Sequence, residues 1–338
     1  MAPPTASNDS TNNNNNNNES LNERKQFEET RAGVKGLVDS GVTTIPSFFI
    51  NPPEVISTLK SSPSNIGVEI PTIDLFGINS PTTRLVVVDQ IKRAASSVGF
   101  FQVINHGIPL EVKAPMFRRE IEGVTFKSNV DLYHSKAGYW RDSLMIQMGP
   151  KPLKLEDIPE VGRDDLVEYN RRTVPVAELV LELLSEGLGL SRGSLNELTF
   201  SQAVTLVGHY YPYCPQPDLA VGFRSHTDPG VLTVLLQDHM GGLQVQLKEG
   251  WVDVKPIVSN ETYKSVDHRV LASGSREPRI SIASFFNPGA EENVYGPLEQ
   301  LTSAEEPPLY RRVTFKDYMA KFFSKEIHNT SQTDYFRI

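Results

Sequence analysis

The chain has 338 residues, a formal net charge of -8, 38% hydrophobic and 22% charged residues, which is length enough for a sizeable core and the balance of an ordinary globular protein. The acidic excess argues against a general nucleic-acid binder, which carries a basic patch. No run approaches the roughly 18 apolar residues of a membrane span, the N-terminus lacks the basic and apolar regions of a secretory signal, and a single cysteine, Cys214, excludes an internal disulfide and a cysteine-based zinc cluster. The expectation is a cytoplasmic enzyme with a small-molecule substrate and no nucleic-acid or membrane partner; oligomeric state is not legible.

Residues 1–20 are polar and contain seven consecutive asparagines, Asn12 to Asn18. Such a tract buries too little apolar area to offset its ordering entropy, so it reads as a disordered tail. A charged helix follows from about residue 21, ending near a glycine, and Pro46 then forces an extended piece. IGVEIPTIDL (66–75) alternates like a strand. RLVVVDQIKRAASSVG (84–99) has helical spacing and a stop at Gly99, and FFQVINHG (100–107) is a short apolar strand ending in a turn. VAELVLELLSEGLGL (176–190) reads as a helix with Pro175 at its start and Gly187 near its end. These elements make 21–190 a mainly helical N-terminal region with a few strands.

From about residue 204 short strands dominate: VTLVGHYY, VLTVLLQ, GLQVQL, WVDV, YKSVDHRVL and RISIASFF. Turns between many short strands suggest an antiparallel barrel or jelly roll over 191–300. A last helical piece, TFKDYMAKFF, lies in the C-terminal segment 301–338. Helices first and strands afterwards is the α+β pattern. There is no dinucleotide or phosphate-binding glycine motif.

In a strand, residues i and i+2 face one way, so His226 and Asp228 can offer an imidazole and a carboxylate to one metal. A second histidine from a neighbouring strand would complete the two-His-one-carboxylate set that holds Fe(II) with open positions; His209, His239 and His268 are the candidates. His268 sits among apolar and β-branched residues, as an inward-facing ligand should. Arg279 and Ser281 are again i and i+2, and a guanidinium beside a hydroxyl suits a carboxylate. His209 and Tyr211 share a face in the same way. His239 and His106 read as turn residues, His134 and His328 as solvent-facing, and Trp140 and Trp251 as packing. Tyr139 and Arg141 are candidates for reaching a substrate pocket.

Taken together, FEETRAGVKGLVDSGVTTIPSFFI, GFFQVINHGIP, KSNVDLY, LVGHYYPYCPQPDL, SHTDPGVLTVLLQDHMGGLQV, WVDV, YKSVDHRVLAS and PRISIASFF make the chain similar, from residue 27 to about 290, to the plant 2-oxoglutarate- and Fe(II)-dependent dioxygenases. Within them it most resembles the 1-aminocyclopropane-1-carboxylate oxidase homologues. The resemblance implies a double-stranded β-helix (jelly roll) flanked by helices. It implies His226, Asp228 and His268 as iron ligands, and Arg279 and Ser281 on the distal carboxylate of 2-oxoglutarate, with Tyr211 and His209 lining that site; many relatives carry Asn at the position of His209. The implied cofactors are Fe(II), 2-oxoglutarate and O2, with ascorbate as reductant. The implied reaction releases succinate and CO2 while a small specialised metabolite is hydroxylated or otherwise oxidised.

Two departures from that pattern stand out. Between Asp228 and His268 the chain is shorter than its relatives by about a strand and a turn, around residues 254–263, where the apolar strand with its usual Gly-Asp-Leu is absent. After residue 110 a long helix is also cut short. Losing a core strand costs about 1–3 kcal/mol for each buried backbone group left unpaired, a large share of the roughly 5–15 kcal/mol that stabilises a domain. An alternative transcript, a faulty gene assembly or a decaying paralogue would each produce such gaps, and comparing transcript with genome separates them. The competing functions are therefore a catalytically impaired binding protein or truncated isoform, and 1-aminocyclopropane-1-carboxylate oxidation itself.

Overall fold

The computed structural model describes residues 9–60, 70–108, 124–127, 132, 135–151, 153–158, 160, 162–246, 267–290, 292–323 and 335–338, with side chains described for all of these but 9–19, 60 and 124–127. Helix α1 spans Asp9–Thr30 and runs through the asparagine tract. The disordered tail expected over 1–20 is thus corrected for residues 9–20; residues 1–8 lie outside the described set. The helix is anchored at its far end: Phe27 is buried against Phe48 and Phe49, and Arg24 donates to the carbonyls of Leu132, Ser135 and Lys136. Extending a nucleated helix adds one hydrogen bond per residue, so a poor segment can follow an anchored one.

The charged helix expected from residue 21 breaks at Arg31, whose φ is 51°, before α2 (Gly33–Asp39). The break positions a tertiary cap. Asp142 accepts from the backbone N–H of Val34 and of Lys35, both at 2.8 Å, filling the N-terminal donors that α2 leaves open. Gly33 is required there, because its φ is +68° and any Cβ would collide with the Asp142 carboxylate.

Helix α3 covers Pro53–Lys60. Strands β1 (Thr72–Asp74) and β2 (Gln102–Ile104) pair in parallel, and α4 (Pro81–Ser97) connects them. Of the strand expected over 66–75, the described residues hold β1, which begins just after Pro71, a residue with no N–H to donate; 66–69 lie outside the described residues. Strands β3 (Val124–Lys127) and β4 (Asp142–Gln147) follow. Helix α5 (Arg163–Gly187) starts well before the expected residue 176 and holds Pro175 inside it. Its buried side extends across the proline, from Leu166, Tyr169 and Thr173 to Val176, Ala177 and Val180, so packing outweighs the lost hydrogen bond.

After the short α6 (Ser194–Glu197) come β5 (Ala203–Tyr211), β6 (Val221–His226), β7 (Leu232–Gln237), β8 (Leu243–Val245), β9 (His268–Leu271) and β10 (Arg279–Asn287). The small β11 (Val294–Tyr295) and β12 (Val313–Thr314) pair with each other, and α7 (Phe315–Phe323) follows. Among the described residues, one sheet has the order β3-β4-β5-β10-β7 and another β6-β9-β8, the double-layered architecture expected of a jelly roll. The shortened interval at 254–263 and most of the shortened stretch after 110 lie outside the described residues.

Alternation along the strands separates the two faces of the larger sheet. Leu144, Ile146, Val204, Leu206, Ile282 and Phe286 point one way and pack with Tyr169, Val176 and Ala177 of α5. Arg141, just before β4, Ser143, His209, Tyr211, Arg279, Ser281 and Gln237 belong to the opposite parity. They are polar, and they face the smaller sheet, whose Phe223 stacks on Arg141.

Candidate active site

Register brings the polar side chains into rows. Opposite one another lie Ser143 and His209, His209 and Ser281, and Ser281 and Gln237. In the next row Arg279 faces Tyr211. Arg279 is buried and each of its three nitrogens donates once: Nη1 to Ser281 Oγ at 2.9 Å, Nη2 to Gln237 Oε1 at 2.8 Å and Nε to the Gly241 carbonyl at 2.6 Å. Its guanidinium carbon lies 4.8 Å from the centre of the Tyr211 ring. Every one of these acceptors is neutral, and no carboxylate among the described residues forms an ion pair with the cation.

The smaller sheet supplies the other half. His226 at the end of β6 is directly opposite His268 at the start of β9, and their ring centres are 4.2 Å apart. Asp228 is not on a strand; β6 stops at His226 and Asp228 stands in the connection to β7. The i, i+2 strand argument therefore fails for that residue, yet the turn carries its carboxylate back to both rings: Oδ1 lies 3.5 Å from His226 Nε2 and 3.6 Å from His268 Nε2. One donor atom from each of the three lies within 4.8 Å of the others, a grouping that could hold a metal ion. His226 Nδ1 is 2.9 Å from the Arg224 carbonyl. A carbonyl only accepts, so Nδ1 carries a proton and Nε2 is the nitrogen turned towards the Asp228 carboxylate. Burial raises the Asp228 carboxyl, but the His226 hydrogen bond, both imidazoles and the Thr233 hydroxyl outweigh it and hold the group below its ordinary value.

His209 is buried between these halves. Its Nδ1 lies 3.2 Å from Arg141 Nη1 and 2.9 Å from Ser143 Oγ. A guanidinium can only donate, so Nδ1 accepts and the neutral ring bears its proton on Nε2. Burial, then the positive charges of Arg141 and Arg279 and the neighbouring His226, push its pKa well below 6.5. His239 is excluded from the grouping: it is exposed in a turn, 3.4 Å from Glu277. His106 Nδ1 accepts from the Ile108 backbone at 3.1 Å, and Trp140 is buried with its indole N–H on the Tyr213 carbonyl. His134, Trp251 and His328 lie outside the described residues. Sequence reasoning missed Gln237 and Ser143, to which only cross-strand register points, and the Asp142 cap, which depends on the distant helix α2.

Residues 203–288 match the model of the 2OG-Fe(II) oxygenase superfamily, and 70–120 that of the non-haem dioxygenase in morphine synthesis N-terminal family. The chain is 40% identical over 355 residues to 1-aminocyclopropane-1-carboxylate oxidase homolog 11 of Arabidopsis thaliana, covering 94% of this chain and 97% of that one. The chain belongs to the 2-oxoglutarate/Fe(II) oxygenase family. It is a 2-oxoglutarate-dependent dioxygenase by that membership. Homolog 1 from the same plant is 41% identical over 350 residues, 93% and 95% of the two chains. The aligned stretches are longer than the whole of this oxygenase chain, 338 residues, so the relatives hold positions that it lacks. Among solved structures, JOX2 in complex with 2OG, Fe and JA superposes with a TM-score of 0.73 at 27% identity, covering 90% of this chain and 97% of that one. The rice dioxygenase for auxin oxidation has the same fold, with a TM-score of 0.61 at 21% identity over 80% of this oxygenase and 100% of the other chain. Among the described residues no helix is long and apolar enough to cross a membrane.

Proposed function

We propose that this chain hydroxylates or otherwise oxidises a small specialised metabolite, with His226, Asp228 and His268 as the Fe(II) ligands and Arg279, Ser281, Tyr211 and His209 as the 2-oxoglutarate site. The observation that carries the reading is the convergence of two Nε2 atoms and one carboxylate oxygen from separate segments, with the His226 tautomer fixed by a backbone carbonyl. Two imidazoles and a carboxylate on one side are the donor set of non-haem Fe(II) oxygenases. Fe(II) bound there would supply the redox chemistry that couples O2 and 2-oxoglutarate, released as succinate and CO2, to oxidation of the substrate, with ascorbate keeping the metal reduced. The protein's own residues position and exclude. Arg279 and Ser281 offer N–H and O–H donors to the distal carboxylate, which would replace the neutral Gln237 oxygen by a charged acceptor. His209, held neutral, offers an Nε2–H. A small-metabolite substrate agrees with the acidic chain, whose net charge is -8, and a cytoplasmic location is part of the same reading.

The test is an anaerobic titration of 2-oxoglutarate into purified protein with Fe(II), watched for the visible metal-to-ligand charge-transfer band. A saturable band, lost in His226→Ala, is the expected result; a folded protein without a band sinks the reading. A second reading, a catalytically impaired binding protein, draws on the positions that relatives hold and this chain lacks. It predicts a folded chain that binds 2-oxoglutarate but consumes none. Oxidation of 1-aminocyclopropane-1-carboxylate would instead proceed without 2-oxoglutarate, and omitting the co-substrate distinguishes it.

A further inference from the structure

Arg141 is the one buried charge in this site that the oxygenase chemistry does not use. It is 4% exposed, and an arginine stays protonated in a protein. Its neighbours are all neutral: Nη1 is 3.2 Å from His209 Nδ1, the Tyr211 hydroxyl accepts from it, and its guanidinium lies 3.4 Å from the centre of the Phe223 ring and 5.6 Å from that of Tyr139. Nε is buried with no hydrogen-bond partner. No carboxylate among the described residues forms an ion pair with it. The adjacent acid, Asp142, points to the other side of β4 and caps α2. A buried cation left this way is costly unless something completes it, and an unsatisfied buried donor calls for an explanation.

The charges in the site indicate what is missing. With Fe(II) and 2-oxoglutarate bound, their charges would cancel against Asp228 and Arg279, so none of these groups would be left over as a counter-ion for Arg141, and no ion pair to Arg141 exists among the described residues. Arg141 also stands at the right place. It touches His209 and Phe223, whose ring centres are 6.1 Å apart, and the Phe223 ring centre is 4.0 Å from that of His226. We propose that Arg141 recognises the organic substrate, and that this substrate is a small organic acid whose carboxylate takes the free edge of the guanidinium. Phe223 and Tyr139, which flank the guanidinium, would bear on the apolar part of the same molecule.

This proposal rests on the oxygenase reading, and the experiment keeps the two apart. Full-length protein is loaded anaerobically with Fe(II) and 2-oxoglutarate, and phenylacetate, cinnamate and octanoate are each compared with their methyl esters. Binding is read twice, as a perturbation of the charge-transfer band and as a rise in melting temperature. At least one acid should bind roughly tenfold or more tighter than its ester, as a charge-assisted hydrogen bond requires. Arg141→Gln should abolish that preference while moving the 2-oxoglutarate midpoint far less, and Arg141→Lys should keep part of it. Should the glutamine variant fail to fold, the wild-type pairs and the lysine variant decide. Equal binding of acid and ester, failure of every acid to bind, or an Arg141→Gln variant that loses 2-oxoglutarate as completely as the acid would each overturn the assignment. Melting temperature reads acid against ester even without a band, so a missing band counts against the oxygenase reading and not against Arg141.

Discussion

The two sheets of this molecule are built differently. The larger one is long and regular: β10 pairs with β5 over its full length without a shift, from Arg279 opposite Tyr211 to Asn287 opposite Ala203, and one of its faces is sealed by α5. The smaller one is short, half-exposed and irregular, with register shifts on both sides of Phe223. Yet the smaller sheet brings two of the three proposed metal donors, His226 and His268, while Arg279 lies on the larger sheet and Arg141 just before it. The difference suggests a division of labour. A sheet fixed by packing can hold anion donors in place before any ligand arrives. A thin sheet can leave its final geometry to the metal, since binding a metal to a folded site adds to folding stability.

The largest effect that could break this contrast is removal of a donor. Mn(II), a redox-silent stand-in, should raise the melting temperature of the wild-type chain, by the equivalent of about 2.7 kcal/mol at a hundredfold excess over its dissociation constant. His226→Ala and His268→Ala should show no such rise. If Mn(II) leaves the wild type unmoved, the smaller sheet does not depend on metal and the contrast collapses. The next largest effect belongs to the rigid sheet. Arg279→Gln removes a charged donor from a dry site, and should weaken 2-oxoglutarate by about 1.5–3 kcal/mol, roughly tenfold to more than a hundredfold, read from the midpoint of the band titration. Its metal-dependent stabilisation should be intact. Loss of both would show that the sheets are not independent.

This division was partly legible in the sequence. The β-branched and aromatic content of VTLVGHYY and RISIASFF identified β5 and β10, and the i, i+2 spacing placed His209 with Tyr211 and Arg279 with Ser281 on common faces, because two-residue alternation is a local property of a strand. β4 was not seen: DSLMIQ carries little β-propensity, and it is a strand because β3 and β5 flank it. Asp228 reached the metal grouping by a turn and not by strand alternation, a tertiary outcome that local periodicity cannot contain. The orphaned guanidinium of Arg141 depends on where the neighbouring Asp142 goes, and that was decided by a helix more than a hundred residues earlier in the chain.

That cap gives a smaller prediction. Asp142→Ala should cost about 0.5–2 kcal/mol, the range for losing an N-terminal cap, measured by urea denaturation. Gly33→Ala should cost about 1 kcal/mol or more, since alanine pays for a left-handed backbone and its Cβ also meets the carboxylate. Both changes act behind the larger sheet, so the 2-oxoglutarate midpoint should move little. A large shift in that midpoint would mean that Arg141 and its row depend on the cap for their alignment.

The last effect appears only below pH 6.5, concerns His209 and has a definite sign. Its pKa is lowered well below 6.5 in the folded chain, by burial first and then by Arg141, Arg279 and His226. Above pH 6.5 the ring is neutral whether the chain is folded or unfolded, and it contributes no pH dependence. Below that value the unfolded chain takes up a proton that the folded chain refuses, so stability falls as pH falls, by up to about 1.4 kcal/mol per pH unit. His209→Asn keeps a neutral donor and acceptor but removes the titration. Its stability should therefore decline less steeply than that of the wild type between pH 6.5 and 5, in urea melts without metal. Parallel curves would mean that the imidazole is protonated in the folded protein. The Arg141 hydrogen bond would then have to be broken, since two donors cannot share it, and the tautomer argument for His209 Nε2 would fall with it.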